Sequence, residues 1–322
     1  MFQHRELRFY LVKFLTIHQK ICYTTNMITK LLYTTGDGNF KEMDWEVPEL
    51  LPNQIMVKAV MTGVCRSDIA MMMGEFSPLP IHMSGHEGLG QVIEIGTDIT
   101  DVAIGDYVAT RGEPAYASIY PVKHGEYVQV PEAHPRYILE PVACGINCVN
   151  QAYNEIDKRA DGRCLIIGSG FLAWVVYNNL QHEFEDLEID VLGRSNSELF
   201  GNALTYKSEG TYDVVIDLGS GTEVFDQPIL NNEALIVFGV EKTVTTNFAN
   251  ILWKSCTMTF PSPRNSKFIM SMMEARYMIE NGLLDVDKFW TKCYNRNTEW
   301  QEAFADGKDR PSGYSRGYIK WD

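Results

Sequence analysis

No stretch of this 322-residue chain approaches the ~18 consecutive apolar residues that cross a bilayer as a helix. The most apolar N-terminal run, Phe9 to Ile17, is interrupted by Lys13 and lacks a small-residue cleavage site, so neither a membrane span nor a secretory leader is expected. Positive charge is scarce: 28 Lys and Arg face 42 Asp and Glu, a formal net charge of -14 with a pI near 5.0. Such an acidic field repels nucleic-acid backbones and anionic membranes, so neither is an expected partner. The seven cysteines (Cys22, Cys65, Cys144, Cys148, Cys164, Cys256, Cys293) are odd in number and scattered, in a chain too large to need staples. Reduced thiols and a cytoplasmic setting are therefore expected. Internal repeats and low-complexity tracts are also lacking.

What is present is ordinary globular material, 45% hydrophobic and 22% charged, at a length that favours two domains. Residues 1–26 fit nothing that follows and are expected to be an extension outside the core, while Met27 opens a strand-like run at Ile28 to Tyr33. From there to about Val130 short strands alternate with turns: Phe40 to Trp45, Gln54 to Met61, Leu89 to Ile95, Asp106 to Thr110 and Gly125 to Val130. This spacing predicts a small, partly closed β-barrel. From about Asn150 the period changes. Cys164 to Ile167, Glu188 to Leu192, Tyr212 to Asp217 and Ala234 to Gly239 read as apolar strands, with a helix over Phe171 to Leu180. Together they predict βαβ units and a parallel sheet, so the fold class is α/β. A helix carrying Phe268, Met272, Ala275 and Ile279 ends at Asn281-Gly282, and Gly317 to Trp321 reads as a strand returning to the first domain. Between Ser195 and Asp213 there is too little chain for a full helix–strand–helix excursion, so the parallel-sheet domain is expected to be trimmed.

Two short segments carry the chemistry. GVCRSD (Gly63 to Asp68) and GHEGLG (Gly85 to Gly90) supply a thiolate at Cys65 and an imidazole at His86, ligand types that zinc prefers, and Glu87 and Glu140 offer carboxylates to complete a tetrahedral site. Three protein ligands with one open position is the catalytic pattern. On their own, Cys65 also fits a buried small hydrophobe and His86 a satisfied core histidine. Further on, Gly168-Ser169-Gly170-Phe171-Leu172-Ala173 is G-x-G-x-x-A after an apolar strand and before a helix. Gly168 permits the tight turn, Gly170 lets backbone approach a pyrophosphate, and Ala173 lets helix and sheet pack closely.

Taken together these segments resemble the zinc-dependent medium-chain dehydrogenase/reductase family, the alcohol and polyol dehydrogenase superfamily, over nearly everything from Met27 to Asp322. GVCRSD is similar to the family's G-[IV]-C-x-[ST]-D, GHEGLGQVIEIG to G-H-E-x-x-G-x-V-x-x-x-G, IGDYV to V-G-D-x-V, and LEPVACG to the E-P-[LM]-[AS]-x-[GA] of the sorbitol and threonine dehydrogenase branch. The resemblance implies a GroES-like barrel domain over 27–149 and 264–322 and a Rossmann domain over 150–263. It makes Cys65 and His86 zinc ligands, puts Glu140 at the third ligand position of the EP-containing branch, and leaves Glu87 either ligating directly or lying behind the metal. Asp68 is then the acceptor that orients the histidine, a helix cap, or both. Cys144 and Cys148 match no ligand position and are expected to be core thiols. A second, structural zinc is not expected, because Thr110 to Lys123 contains no cysteine.

The implied reaction is hydride transfer between an alcohol, or the matching aldehyde or ketone, and a nicotinamide cofactor, with Ser67 at the proton-relay position. Many relatives place a histidine three residues beyond that serine; here Ala70 stands there, and His82 is the nearest other candidate. Arg66 matches a position that can contact the cofactor pyrophosphate, and Asn147 stands where EP-branch relatives often carry histidine. At Gly193 NAD-using relatives usually carry aspartate, and Arg194 and Ser195 can meet a phosphate, so NADP(H) is favoured over NAD(H); a plain surface turn with an exposed arginine is the alternative. A homodimer or homotetramer built on the sheet edge near Cys256 to Phe260 is implied by analogy. Two competing expectations are a zinc-free quinone or enone reductase of the same superfamily and a non-catalytic nucleotide-binding descendant.

Overall fold

Ile28–Thr34 (β1) and Phe40–Glu46 (β2) pair as an antiparallel hairpin whose Leu31 and Leu32 are fully buried. The next strand, Gln54–Gly63 (β3), organises the first half of the molecule. Its Ile55, Val57 and Ala59 are 0–3% exposed and form one buried face; Lys58 on the other face meets solvent, while Met56 on that face is covered at 4%. The computed structural model describes residues 27–75, 80, 84–204, 208, 210–219, 229–241 and 248–321.

In it, β3 is followed by Arg66–Met72 (α1), Gly88–Ile95 (β4), Tyr107–Thr110 (β5), Ile119–Lys123 (β6) and Tyr127–Val130 (β7). One edge of β3 pairs antiparallel with β4, which leads on to β5 and β7. The other edge is shared between β6, at Gln54 to Lys58, and a carboxy-terminal strand, at Met61 to Gly63. A long strand served by two partners along one edge bends the sheet toward a partly closed barrel.

Glu140–Asp157 (α2) leaves this sheet and runs continuously through position 150, so the boundary expected at 149/150 falls inside a helix. The second sheet is parallel throughout. It consists of Arg163–Ile167 (β8), Glu188–Leu192 (β9), Ala203–Leu204 (β10), Tyr212–Asp217 (β11), Leu230–Phe238 (β12) and Thr257–Thr259 (β13), in the order β10-β9-β8-β11-β12-β13. That is the doubly wound order, with its switch point between β8 and β11. Cys164 and Ile166 of β8 enter the core packed by α2, Phe171–Glu183 (α3) and Phe268–Glu280 (α5), whereas Leu165 and Ile167 enter a smaller core on the other face. Among the described residues that second face carries one short helix, Ala249–Trp253 (α4). Between β9 and β10 there is only a 3-10 turn at Ser197–Leu199, so this domain is trimmed where a full helix would ordinarily lie.

The chain then returns to the first sheet as Trp290–Asn295 (β14), Trp300–Asp309 (α6) and Arg316–Lys320 (β15), with β15 antiparallel to β3. Helix α6 is anchored by Phe304, which is 2% exposed, stacks on Phe40 at 3.7 Å and meets Tyr116 edge-on at 5.3 Å. Phe304→Ala should therefore cost ~3–5 kcal/mol in a denaturant titration, and a cost below about 1 kcal/mol would show that α6 is not held by this cluster. Among the described residues no helix is long and apolar enough to cross a membrane.

Candidate active site

Because β3 pairs with both β4 and β15, the end of β3, the start of β4 and the start of β15 meet at one point: Thr62 lies opposite Gly88 and Gly63 opposite Tyr318. Cys65 follows β3 as the residue before α1, His86 and Glu87 immediately precede β4, and Arg316 opens β15. One ligand atom each from Cys65, His86 and Glu87 lies within 4.8 Å of the others. Glu140, the first residue of α2, is 4% exposed and accepts a hydrogen bond from the Cys144 thiol at 3.4 Å; it is outside that three-residue group. Its charge nevertheless acts on the His86 imidazole.

Several side chains hold this arrangement. The Cys65 backbone N–H donates to Asp68 Oδ2 at 3.0 Å, capping α1, while Asp68 Oδ1 lies 3.5 Å from His86 Nδ1. Asp68 thus caps the helix and faces the histidine at once. Tyr116 donates to Asp68 Oδ2 at 2.8 Å, and Ser67 Oγ donates to Cys65 Sγ at 3.2 Å. Glu87 is fully buried, and both of its oxygens accept from Arg316 Nη2, at 2.6 and 2.5 Å.

The donor set fits a cation. Burial raises the Cys65 thiol, with the Glu87 charge adding to it, and burial likewise raises the Asp68 and Glu140 carboxyls. Burial alone would lower the His86 imidazole, but Asp68, Glu140 and Cys65 outweigh it and hold it well above its ordinary value. Four acidic groups (Cys65, Asp68, Glu87, Glu140) thus share one pocket with the Arg316 guanidinium and the His86 imidazole. A dication bound by sulfur and imidazole would supply counter-charge to them. Asp68 Oδ1 is buried and makes no hydrogen bond, which leaves it available to an Nδ1–H of a ligating His86.

Arg316 also ties this pocket to the glycine-rich turn. Its guanidinium carbon lies 4.9 Å from the centroid of the Phe171 ring and 5.0 Å from that of Trp290. Phe171 is the first residue of α3, directly after Gly168-Ser169-Gly170. Gly168 has φ +113°, a conformation closed to ordinary side chains, and its N–H donates to Leu192 O at 2.8 Å. Arg316 Nε, on the guanidinium near Phe171 at the start of α3, and Trp290 Nε1 are buried donors without an acceptor. Unpaired donors in that position suit an anionic ligand. Ala173 is 2% exposed, Leu172 lies against Gly145 of α2, and Arg66, Arg194 and Ser195 are exposed. Arg66, Arg310 and Arg316 lie near enough to one another for the first and third to lower the second's pKa, although burial is the larger cause.

Sequence reasoning missed Arg316, Tyr116 and Trp290, whose partners are far away along the chain. The one local signal was an arginine opening the terminal strand. Cys148 is a core thiol at 2% exposure, whereas Cys144 touches Glu140. The Asn147 amide donates to Ser262 O and its Oδ1 accepts from Asn265, so it ties α2 to the loop before α5. His82 lies outside the described residues. Gly63 is required by close approach, since a Cβ there would sit 2.0 Å from Glu87 Oε2. Gly63→Ala should push Glu87 off Arg316 and cost about 1–3 kcal/mol in thermal unfolding. Unchanged stability would mean that Glu87 is not held against this strand.

The alcohol dehydrogenase GroES-like domain family matches residues 51–171. The chain is 22% identical over 319 residues to D-arabitol-phosphate dehydrogenase of Enterococcus avium, spanning 81% of this chain and 89% of that protein. Its fold is similar to that of alcohol dehydrogenase TADH from Thermus sp. ATN1, with TM-score 0.75 and 15% identity over 91% of this chain and 100% of that one. It is also similar to that of Staphylococcus aureus TarJ in complex with NADPH, with TM-score 0.73 and 16% identity over 92% and 100%. Residues 51–171 thus belong to the alcohol dehydrogenase GroES-like domain family, and over most of its length the chain is similar to a polyol-phosphate dehydrogenase.

Proposed function

We propose that this chain is a zinc-dependent dehydrogenase moving a hydride between an alcohol or polyol, or the matching carbonyl compound, and NADP(H) in preference to NAD(H). The observation that carries this is the meeting of Cys65, His86 and Glu87 within 4.8 Å, one buried arginine away from the glycine-rich turn. When bound, zinc supplies Lewis acidity at the alcohol oxygen, and the nicotinamide supplies the hydride acceptor or donor. Cys65 and His86 are two ligands and a carboxylate completes the set, either Glu87, which meets them and is also engaged by Arg316, or Glu140, at the third ligand position of the EP-containing branch. Asp68 fixes the imidazole. Ser67 can accept a proton from the substrate hydroxyl while donating its own onward, and with Ala70 in place of a relay histidine that proton passes to water. The turn at Gly168 to Phe171 binds the pyrophosphate with help from Arg66, and Arg194 and Ser195 meet the adenosine 2'-phosphate. The similarity to a polyol-phosphate dehydrogenase and to a protein solved with NADPH supports both halves of this reading.

The test is metal analysis of the purified chain, together with cofactor titration and a panel of alcohols, polyol phosphates and carbonyl compounds. One zinc per chain, tight NADPH binding and turnover on the panel are expected. NADPH binding without metal would favour a zinc-free reductase, and neither would end the enzymatic reading.

A further inference from the structure

We infer that Ser169 and Gly193 form a steric gate that sets which adenosine ribose the nucleotide turn accepts: the Ser169 side chain fills the place a carboxylate at position 193 would need, so the site takes a 2'-phosphorylated nucleotide. This rests on the proposed nicotinamide-nucleotide site and adds a residue, Ser169, that determines its specificity.

The end of β9 is pinned on two sides. Gly168 N–H donates to Leu192 O at 2.8 Å, and Gly193 N–H donates to Leu204 O at 3.0 Å. Gly193 therefore has no freedom to back away from the turn. A Cβ on it would lie 2.0 Å from Ser169 Oγ, 2.2 Å from Ser169 Cβ and 3.1 Å from Ser169 N. Ser169 is equally fixed: it is 8% exposed, and its carbonyl accepts from Asn196 Nδ2 at 2.8 Å. Asn196 sits in the left-handed region at φ +56°, a conformation asparagine tolerates better than most residues, and so folds the loop after β9 back over the turn.

An acid at this strand end recognises a ribose 2'-hydroxyl and repels a 2'-phosphate. With Ser169 in place no acid fits at 193, and the residues that follow, Arg194 and Ser195, are exposed, with no ion pair to Arg194 among the described residues. Such a pair of side chains suits a phosphate dianion. The gate also explains why Gly193 alone is not the determinant: changing it without changing Ser169 makes a collision. Removing the Ser169 side chain leaves the backbone nitrogen, at 3.1 Å, as the next nearest atom, a contact that a shift of a few tenths of an ångström relieves.

The experiment measures binding constants of NADP+ and NAD+ by calorimetry for the wild type, Gly193→Asp, Ser169→Gly and the double variant Ser169→Gly/Gly193→Asp. Melting temperatures of Gly193→Ala and Ser169→Gly/Gly193→Ala are measured beside them. The wild type is expected to bind NADP+ at least tenfold more tightly than NAD+. Gly193→Asp alone should weaken both cofactors at least tenfold, and the double variant should recover NAD+ binding at least tenfold while leaving NADP+ weak. Ser169→Gly should also restore the melting temperature lost in Gly193→Ala. Gly193→Asp binding NAD+ as tightly as the double variant, or Gly193→Ala melting like the wild type, would overturn the gate. If the wild type binds neither nucleotide, the proposed function fails, and the alanine pair still reports on the collision by itself.

Discussion

Cys65→Ala is expected to leave a folded chain that no longer retains zinc and turns over its best substrate on the order of 10^3-fold more slowly, because Lewis-acid stabilisation is worth several kcal/mol and each 1.36 kcal/mol is a factor of ten. The side chain is dispensable for folding. It lies between β3 and α1, only partly buried, and of the two halves of the α1 capping box alanine keeps the one in which the Asp68 carboxylate accepts the Cys65 backbone N–H, losing only the one in which the Cys65 side chain accepts from the Asp68 backbone. What alanine removes is the sulfur of the Cys65–His86–Glu87 group and the acceptor of the Ser67 hydroxyl. Metal analysis, a melting curve and steady-state rates on one preparation check all three parts. Retained zinc, or turnover within tenfold of wild type, would remove Cys65 from the ligand set. Ser67→Ala separates the two losses, since it leaves the sulfur and deletes only the hydroxyl: zinc content should stay near one per chain while kcat falls.

The local parts of this architecture were legible in the sequence. The strands at Glu188 to Leu192 and Tyr212 to Asp217 have the bounds that their apolar runs suggested, and the helix after the glycine turn begins at Phe171 as expected. In each case the signal lies inside one short window between turn residues. Helix α2 was not legible, for a physical reason. It begins Glu140-Pro141 and contains Gly145 and three asparagines, so propensity speaks against it, although Val142, Ile146, Val149, Ala152 and Ile156 lay a buried stripe along it. Strand β6 hides behind Pro121, which is tolerated because β6 lies off the main strand order. In the site, the metal-type residues could be named from GVCRSD and GHEGLG, which are local. The bond between Glu87 and Arg316 spans 229 residues and exists only because β15 returns beside β3. No window of sequence contains it.

That non-local bond carries the largest expected stability effect. Arg316→Ala removes the only guanidinium that contacts the fully buried Glu87 among the described residues and leaves a charge where water does not reach. Breaking a buried pair from one side costs about 3–5 kcal/mol, mainly the penalty of the stranded charge. Loss of the guanidinium from between Phe171 and Trp290 adds to it, as cation–π contacts of this kind are each worth roughly 0.5–2 kcal/mol. The pairing holds Arg316 protonated against a burial that would otherwise lower it, so the interaction does not weaken across the neutral range. If the stranded charge is the cause, removing it should help. Glu87→Gln/Arg316→Met should therefore regain more than half of the stability lost in Arg316→Ala, because a neutral amide and an apolar chain of similar length replace the pair. Denaturant titrations of the single and double variants decide it. A double variant no more stable than Arg316→Ala would mean that the arginine acts through its ring contacts alone. Cofactor affinity gives a second, independent check: a residue that joins the metal pocket to the turn at Phe171 should, when removed, weaken nucleotide binding even in chains that remain folded and zinc-loaded.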